Sequence, residues 1–208
     1  MSEVYVGGKK NLFSHLSIAL MIIAGIFHIY TAVTGIWVTQ KPIHLVLFLL
    51  IIFSIEMEKA LRSKKHINLI ISVLCFAGSL TAGVFLIYFF NELPNRLGRG
   101  DIQDIVFGII IIVVVMVAAY KTLGWVLPIV ATVFILYGLF GMYFPGILQH
   151  RGIRFARLVT YIPFSHEAIM SAALSVSAKF IVLYIIFAAT LEVSGGGQFF
   201  IDFANSLM

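Results

Sequence analysis

Long apolar runs separated by short charged clusters are the main pattern along this chain. A membrane-crossing helix needs roughly 20 apolar residues, within a range of about 17–25. Leu16 to Val38 contains no charged residue and predicts one such helix. Ile43 to Ile55 is shorter; extended toward Met57 it can only just span, through a thinned or mismatched region. Ile67 to Phe90 is a clear third span, and Ile105 to Tyr120 a fourth, rich in β-branched residues. In water that composition hints at strand, but in lipid only helices and closed barrels satisfy the backbone. Continuous apolar runs without strand-like alternation argue against a barrel. Leu123 to Phe144 predicts a fifth span, with Pro128 in its opening turns, where proline is best tolerated. Ile169 to Leu191 predicts a sixth, interrupted by Lys179. The pattern predicts an all-α polytopic integral membrane protein with about six transmembrane helices.

The connections are short. The longest polar one runs from Asn91 to Asp104, with Pro94, Gly98 and Gly100 as turn formers, so no sizeable soluble domain is expected. Between Gly152 and Ile162, Phe155, Leu158, Val159 and Ile162 share one helical face while Arg154 and Arg157 fall off it. That pattern suits a short interfacial helix; the alternative is a basic loop.

Composition agrees. Of 208 residues, 61% are hydrophobic and only 11% charged, against about 45–50% and about 25% in an average soluble domain. A soluble fold of this size cannot hide that much apolar surface, which excludes a soluble globular enzyme and a disordered chain. The net charge of +5 is distributed between apolar runs, where basic residues anchor and orient helices. No basic patch with interleaved aromatics lies in a polar segment, so nucleic acid is not an expected partner. Lys9 and Lys10 before the first run, and Lys59, Arg62, Lys64 and Lys65 after the second, favour a cytoplasmic N-terminus. Arg151, Arg154 and Arg157 fall on the opposite side if every span crosses once, so the rule does not settle the second half. The first run is too long for a signal-peptide core and reads as a retained helix. The single cysteine, Cys75, allows no internal disulfide and no metal spacing.

Candidate chemistry is sparse. His15 and His28 are 13 apart and point roughly 140° away from each other, so they cannot ligate stacked haems on one face. His28 can still pair with His44 on the next helix. Lys179 lies near the middle of an apolar run, where a charge either faces a cavity or substrate or snorkels to the surface. Ser194-Gly195-Gly196-Gly197 stops a helix, after which Phe199, Phe200, Phe203 and Ala204 resume a helical spacing. That break is either part of a substrate site at bilayer depth or a helix cap and turn at the surface. Lys179, Ser194, Gly195 and Gly196 are the candidate substrate-binding residues. No nucleophile elbow, phosphate loop or metal box is present, so no enzymatic activity, catalytic residue or metal site is expected.

Three stretches together resemble a known family: Gly138-Leu139-Phe140-Gly141-Met142-Tyr143-Phe144-Pro145-Gly146, His150-Arg151-Gly152, and Ser194-Gly195-Gly196-Gly197-Gln198-Phe199-Phe200-Ile201-Asp202. With Phe27-His28-Ile29-Tyr30-Thr31-Ala32 and Ile43-His44-Leu45, they are similar to the fused permeases of tripartite ATP-independent periplasmic (TRAP) transporters of the TAXI-associated type. The resemblance implies that residues 1–121 are a small-subunit-like, four-helix scaffold and that 122–208 begin the large transport part. It implies a secondary transporter of the bacterial or archaeal cytoplasmic membrane, importing small organic solutes. The implied partners are the lipid bilayer, the remainder of the large permease domain and a periplasmic TAXI-type binding protein. Sodium is the coupling ion implied for a complete transporter, with no cofactor bound in this chain. Complete fused permeases are much longer, and their sodium- and substrate-holding hairpins have no counterpart here, so none of those residues is assigned. Lys179 also departs from the small or neutral residue expected there. The rival expectation is a small membrane assembly or binding subunit without transport of its own. Within the scaffold reading, Ala77-Gly78-Ser79 and Ala82-Gly83 are expected to form the face that meets the rest of the permease.

Overall fold

The computed structural model describes residues 12–35, 39–97 and 101–207. Lys9, Lys10, Gly98, Gly100 and the last residues of the first expected span lie outside them. The described residues are helices and turns, with no strand. In chain order they are α1 (Leu12–Thr34), α2 (Gln40–Arg62), α3 (His66–Phe89), the short α4 (Leu93–Arg96), α5 (Ile102–Leu123), α6 (Val126–Phe140), α7 (Phe155–Phe164), α8 (Ala172–Val176), α9 (Val182–Val193) and α10 (Gly196–Leu207). A wide π-helical turn, Ser177–Ile181, joins α8 to α9 without breaking the rod.

Among the described residues, five helical stretches are long and apolar enough to cross a membrane: Leu12–Thr34, His66–Phe89, Ile102–Leu123, Val126–Tyr143 and Ala172–Val193. The chain is an all-α polytopic membrane protein. The expected second span is α2, equally long at 23 residues but the least apolar of the long helices and the most buried. Tight connections fold α1, α2 and α3 into antiparallel neighbours. Val46 near the start of α2 meets Gly83 near the end of α3, so α2 runs alongside its neighbours for their length.

In lipid no hydrophobic force drives helices together, so shape decides their packing. A Cβ on Gly83 would lie 2.6 Å from the Val46 methyls, and one on Gly78 3.3 Å from Ile110 and Val114 of α5. Ser79, Ala82 and Gly83 are buried inside the bundle. The expectation that this small-residue stripe faces the rest of a permease is therefore corrected for Gly78, Ser79, Ala82 and Gly83, which are spent inside the bundle, while Ala77 is exposed. Two apolar clusters continue the seam. One gathers Phe85, Leu86, Phe90, Leu93, Ile111, Phe164 and Met170; the other gathers Leu49, Phe53, Cys75, Val114 and Ala118.

Gly124, at φ +86°, ends α5 in a conformation that favours glycine, and Pro128 then falls in the first turn of α6. The Gly152–Ile162 segment is helical: α7 buries Leu158 and Val159 and leaves Arg154 and Arg157 exposed. Its apolar face lies on α5, where Gly108 lets the Val159 carbonyl come so close that no Cβ fits between them. At the opposite end, Lys59 pairs with Glu56 at 2.8 Å and Arg62 with Glu58 at 2.6 Å. These are exposed pairs of little energetic weight, as a solvated helix end requires.

Candidate functional site

Polar side chains inside apolar helices need partners, and α1 supplies two on one face: His28 and, three residues on, Thr31. Gln40 and His44, four residues apart in α2, meet them from the other side. His28 and His44 are only 1% and 3% exposed. The π-helical turn supplies the third wall through the Ser177 hydroxyl and the Ala178 carbonyl.

The hydrogen bonds have a readable direction. A backbone carbonyl only accepts, so the 2.6 Å contact between His28 Nδ1 and the Ala24 carbonyl places a proton on Nδ1. In a neutral ring His28 Nε2 is then an acceptor, and His44 Nδ1–H donates to it at 2.9 Å. His44 Nε2 is left as an acceptor for the Ser177 hydroxyl at 3.1 Å. Beside this chain, the Gln40 amide nitrogen donates to Thr31 Oγ1 at 3.1 Å and to the Ala178 carbonyl at 3.3 Å, and Thr31 donates to the His28 carbonyl. Gln40 Oε1 is buried and has no donor among the described residues. Phe48 lies 4.5 Å from the His44 ring and Phe27 5.1 Å from the His28 ring, closing the sides with aromatic surface. Lys41, one residue beyond Gln40, donates to the Met170 carbonyl at 3.2 Å.

The sequence-predicted residues lie elsewhere or at the margin. Lys179 sits in the π-helical turn itself, half-buried, beside Ala178 in sequence and without a hydrogen bond or ion pair among the described residues. Ser194 ends α9, its hydroxyl donating to the Leu191 carbonyl, and Gly195 turns the chain at φ +78°. Gly196 then opens α10, whose residues are exposed or half-buried. Ser194, Gly195 and Gly196 thus form a cap and turn between two helices, more than two helical turns from Lys179 along the rod. The structure does not bring these candidates together with Lys179. His15 is exposed on α1 and takes no part.

A second buried polar group was not singled out from the sequence. Asp104, in the first turn of α5 and 1% exposed, lies 3.2 Å from the Arg96 guanidinium, which also sits 4.5 Å over the Phe89 ring. Each half looked like ordinary loop charge; only their burial marks them. The glycine-rich stretch after α6 is also a built unit. His150 fills the space a Cβ on Gly141 would need, takes the Gly152 N–H on Nδ1 and donates from Nε2 to the Tyr137 carbonyl. Ile153 N–H to the Gly138 carbonyl at 2.8 Å and the Tyr137 hydroxyl to the Leu148 carbonyl at 2.8 Å complete it. Gly138, Gly141, His150 and Gly152 therefore have a local structural reason.

Comparison with known protein families, with characterised proteins and with solved structures finds no match for this chain.

Proposed function

We propose that this chain is a membrane component of a TRAP-type secondary transporter, contributing the scaffold part of the permease in a bacterial or archaeal cytoplasmic membrane. The observation that carries the reading is a division of packing. In the first half α2 is enclosed by α1, α3 and α5 and keyed to α3 at Gly83. In the second half α7 docks on α5 and the π-helical turn on α2, but α6 has no buried residue and α9 only Val182. A scaffold has to keep its shape while a neighbouring domain moves, and the enclosed half supports that role. The faces of α6 and α9 remain for lipid or for the helices of the large permease domain. A periplasmic TAXI-type binding protein would deliver the organic solute, and sodium would couple at residues of the large domain.

The reading is tested by purifying the tagged chain from its native membranes in mild detergent and identifying what accompanies it. Recovery of the remaining large-permease helices together with a periplasmic binding protein is the expected result. Recovery of the chain alone would replace the proposal with a membrane subunit that has no transport role.

A further inference from the structure

We propose that His28 and His44 form a buried proton-binding site with a capacity of one proton, entered from Ser177. The proposal follows from the direction of the hydrogen bonds already described. A proton arriving from water binds Ser177 Oγ as that hydroxyl's own proton passes to His44 Nε2, so the serine ends neutral. His44 then carries protons on both nitrogens. Its Nδ1 proton can move across 2.9 Å to His28 Nε2, leaving His44 neutral and His28 protonated on both nitrogens. There the path stops, because the next acceptor is the Ala24 carbonyl, which cannot take the proton onward. The pair therefore stores a proton rather than conducting it to the far side.

The same geometry sets the limit of one. With one extra proton every ring nitrogen still has a partner: the contact between the rings keeps one N–H and one lone pair, and the Ser177 oxygen accepts from His44. A second proton would put an N–H on each side of the 2.9 Å contact, and the rings would have to separate. Three further observations place the site at a point of leverage. It joins α1, α2 and the π-helical turn, a feature that recurs at functional sites. Gln40 Oε1, buried and without a donor among the described residues, supplies an acceptor within the same cluster. Gln40 also ties the Ala178 carbonyl of the turn to α2.

The charged groups on the surrounding elements are few. α1 carries no Asp, Glu, Lys or Arg. α2 contributes Lys41, held to the Met170 carbonyl, with Glu56, Glu58, Lys59 and Arg62 at its other end. Lys179 is in the turn, Glu192 is at the far end of α9, and Asp104 of α5 is engaged by Arg96. A carboxylate partner for the stored proton is therefore lacking on α1 and the turn, and the two imidazoles carry the charge between them.

The test is residue-resolved nitrogen-15 NMR of histidine-labelled full-length chain in lipid bilayers, from about pH 8 to about pH 4, across the ordinary histidine range. Signals are assigned by comparison with His28→Gln and His44→Gln. Both neutral rings should carry their proton on Nδ1, and on acidification both should change with one shared midpoint and a total uptake of one proton. Two separate midpoints totalling two protons, or no uptake by either ring, would overturn the proposal. Ser177→Ala should keep the capacity at one and slow exchange of the His44 ring proton with water on the order of tenfold, as loss of one hydrogen bond from the path implies. Unchanged exchange would overturn entry at Ser177.

Discussion

A carboxylate that is 1% exposed inside a membrane protein has to be compensated where it stands, and Asp104 has the Arg96 guanidinium at 3.2 Å. Its place in the first turn of α5 adds the favourable end of the helix dipole. Arg96 in turn rests on Phe89, so one side-chain pair ties α4 to both α3 and α5. Removing Arg96 takes the neutralising cation from a buried carboxylate, which costs about 3–5 kcal/mol, whereas removing both costs less; removing Asp104 alone also costs less, because Arg96 keeps Asp101 at 3.8 Å. Arg96→Met is therefore expected to destabilise by that amount, and Arg96→Met with Asp104→Ala by clearly less than the single change. Equilibrium unfolding in mixed micelles, followed by tryptophan fluorescence, measures both; equal losses would show that the pair is not coupled. The sequence gives no warning of this pair, because a charge beside a span usually belongs to a solvated end, as Glu56 and Glu58 do. His28 and His44 were more legible. Two histidines in consecutive apolar runs near a shared connection can pair, and they do at 2.9 Å. Ser177 and Gln40 were not, because their roles depend on how a third helix approaches.

At the level of elements, the apolar runs located the long helices to within a few residues except α2, which continues to Arg62 through a charged stretch, since in lipid a continuous run of that length has little choice but helix. Leu16 to Val38 corresponds to Leu12–Thr34, and Ile67 to Phe90 to His66–Phe89. What the runs could not show is which helix lies innermost. Lipid-facing and protein-facing surfaces are equally apolar, so periodicity fades and the central place of α2 stayed hidden. Nor could they show the π-helical turn, which looks like any other stretch of the sixth run. Close approaches are set by single glycines, and the tightest against backbone is Gly108 of α5 against the Val159 carbonyl of α7. A backbone oxygen in a helix cannot swing aside as a side chain can. Gly108→Ala is thus expected to force α7 off α5 and to cost about 1–3 kcal/mol, the range for overpacking. Gly25 of α1 has nothing within 4 Å of its missing Cβ, so Gly25→Ala is expected to be neutral or to stabilise by up to about 1 kcal/mol. Thermal unfolding of the two variants in the same detergent separates these outcomes. Equal midpoints would mean that α7 is not docked as described.

For the whole molecule, the open matter in the sequence was orientation, and the fold states it sharply. Lys59, Arg62, Lys64, Lys65 and Lys121 gather at the end where α2 and α5 finish and α3 and α6 begin. Lys41, Arg96, Arg151, Arg154 and Arg157 gather at the other end. Among the described residues the two groups are equal in number, which is why the rule spoke clearly only for the first half. Ion pairing does not break the balance: Lys59, Arg62 and Lys121 are paired with Glu56 and Glu58, as Arg96 is with Asp104 and Asp101, so the order of insertion decides. The earliest helices usually dominate insertion, and the cluster from Lys59 to Lys65 follows the second pass directly. The expected arrangement therefore places Ser63 in the cytoplasm and Ile147, after α6, outside. Cys75 is the chain's one cysteine and is buried in α3, so an introduced cysteine can be read against a quiet background. Ser63→Cys should be protected from a membrane-impermeant maleimide in intact cells and react once the cells are opened. Ile147→Cys, at a position 98% exposed, should react in intact cells. The reverse pattern would invert the molecule, and labelling of both sites from outside would mean that one of α3, α5 and α6, which separate them, does not cross. In that last case α3 and α5 or α5 and α6 would lose their antiparallel pairing, which the contacts of α5 with α3 and α6 do not permit. The labelling thus tests the fold and the orientation with the same two residues.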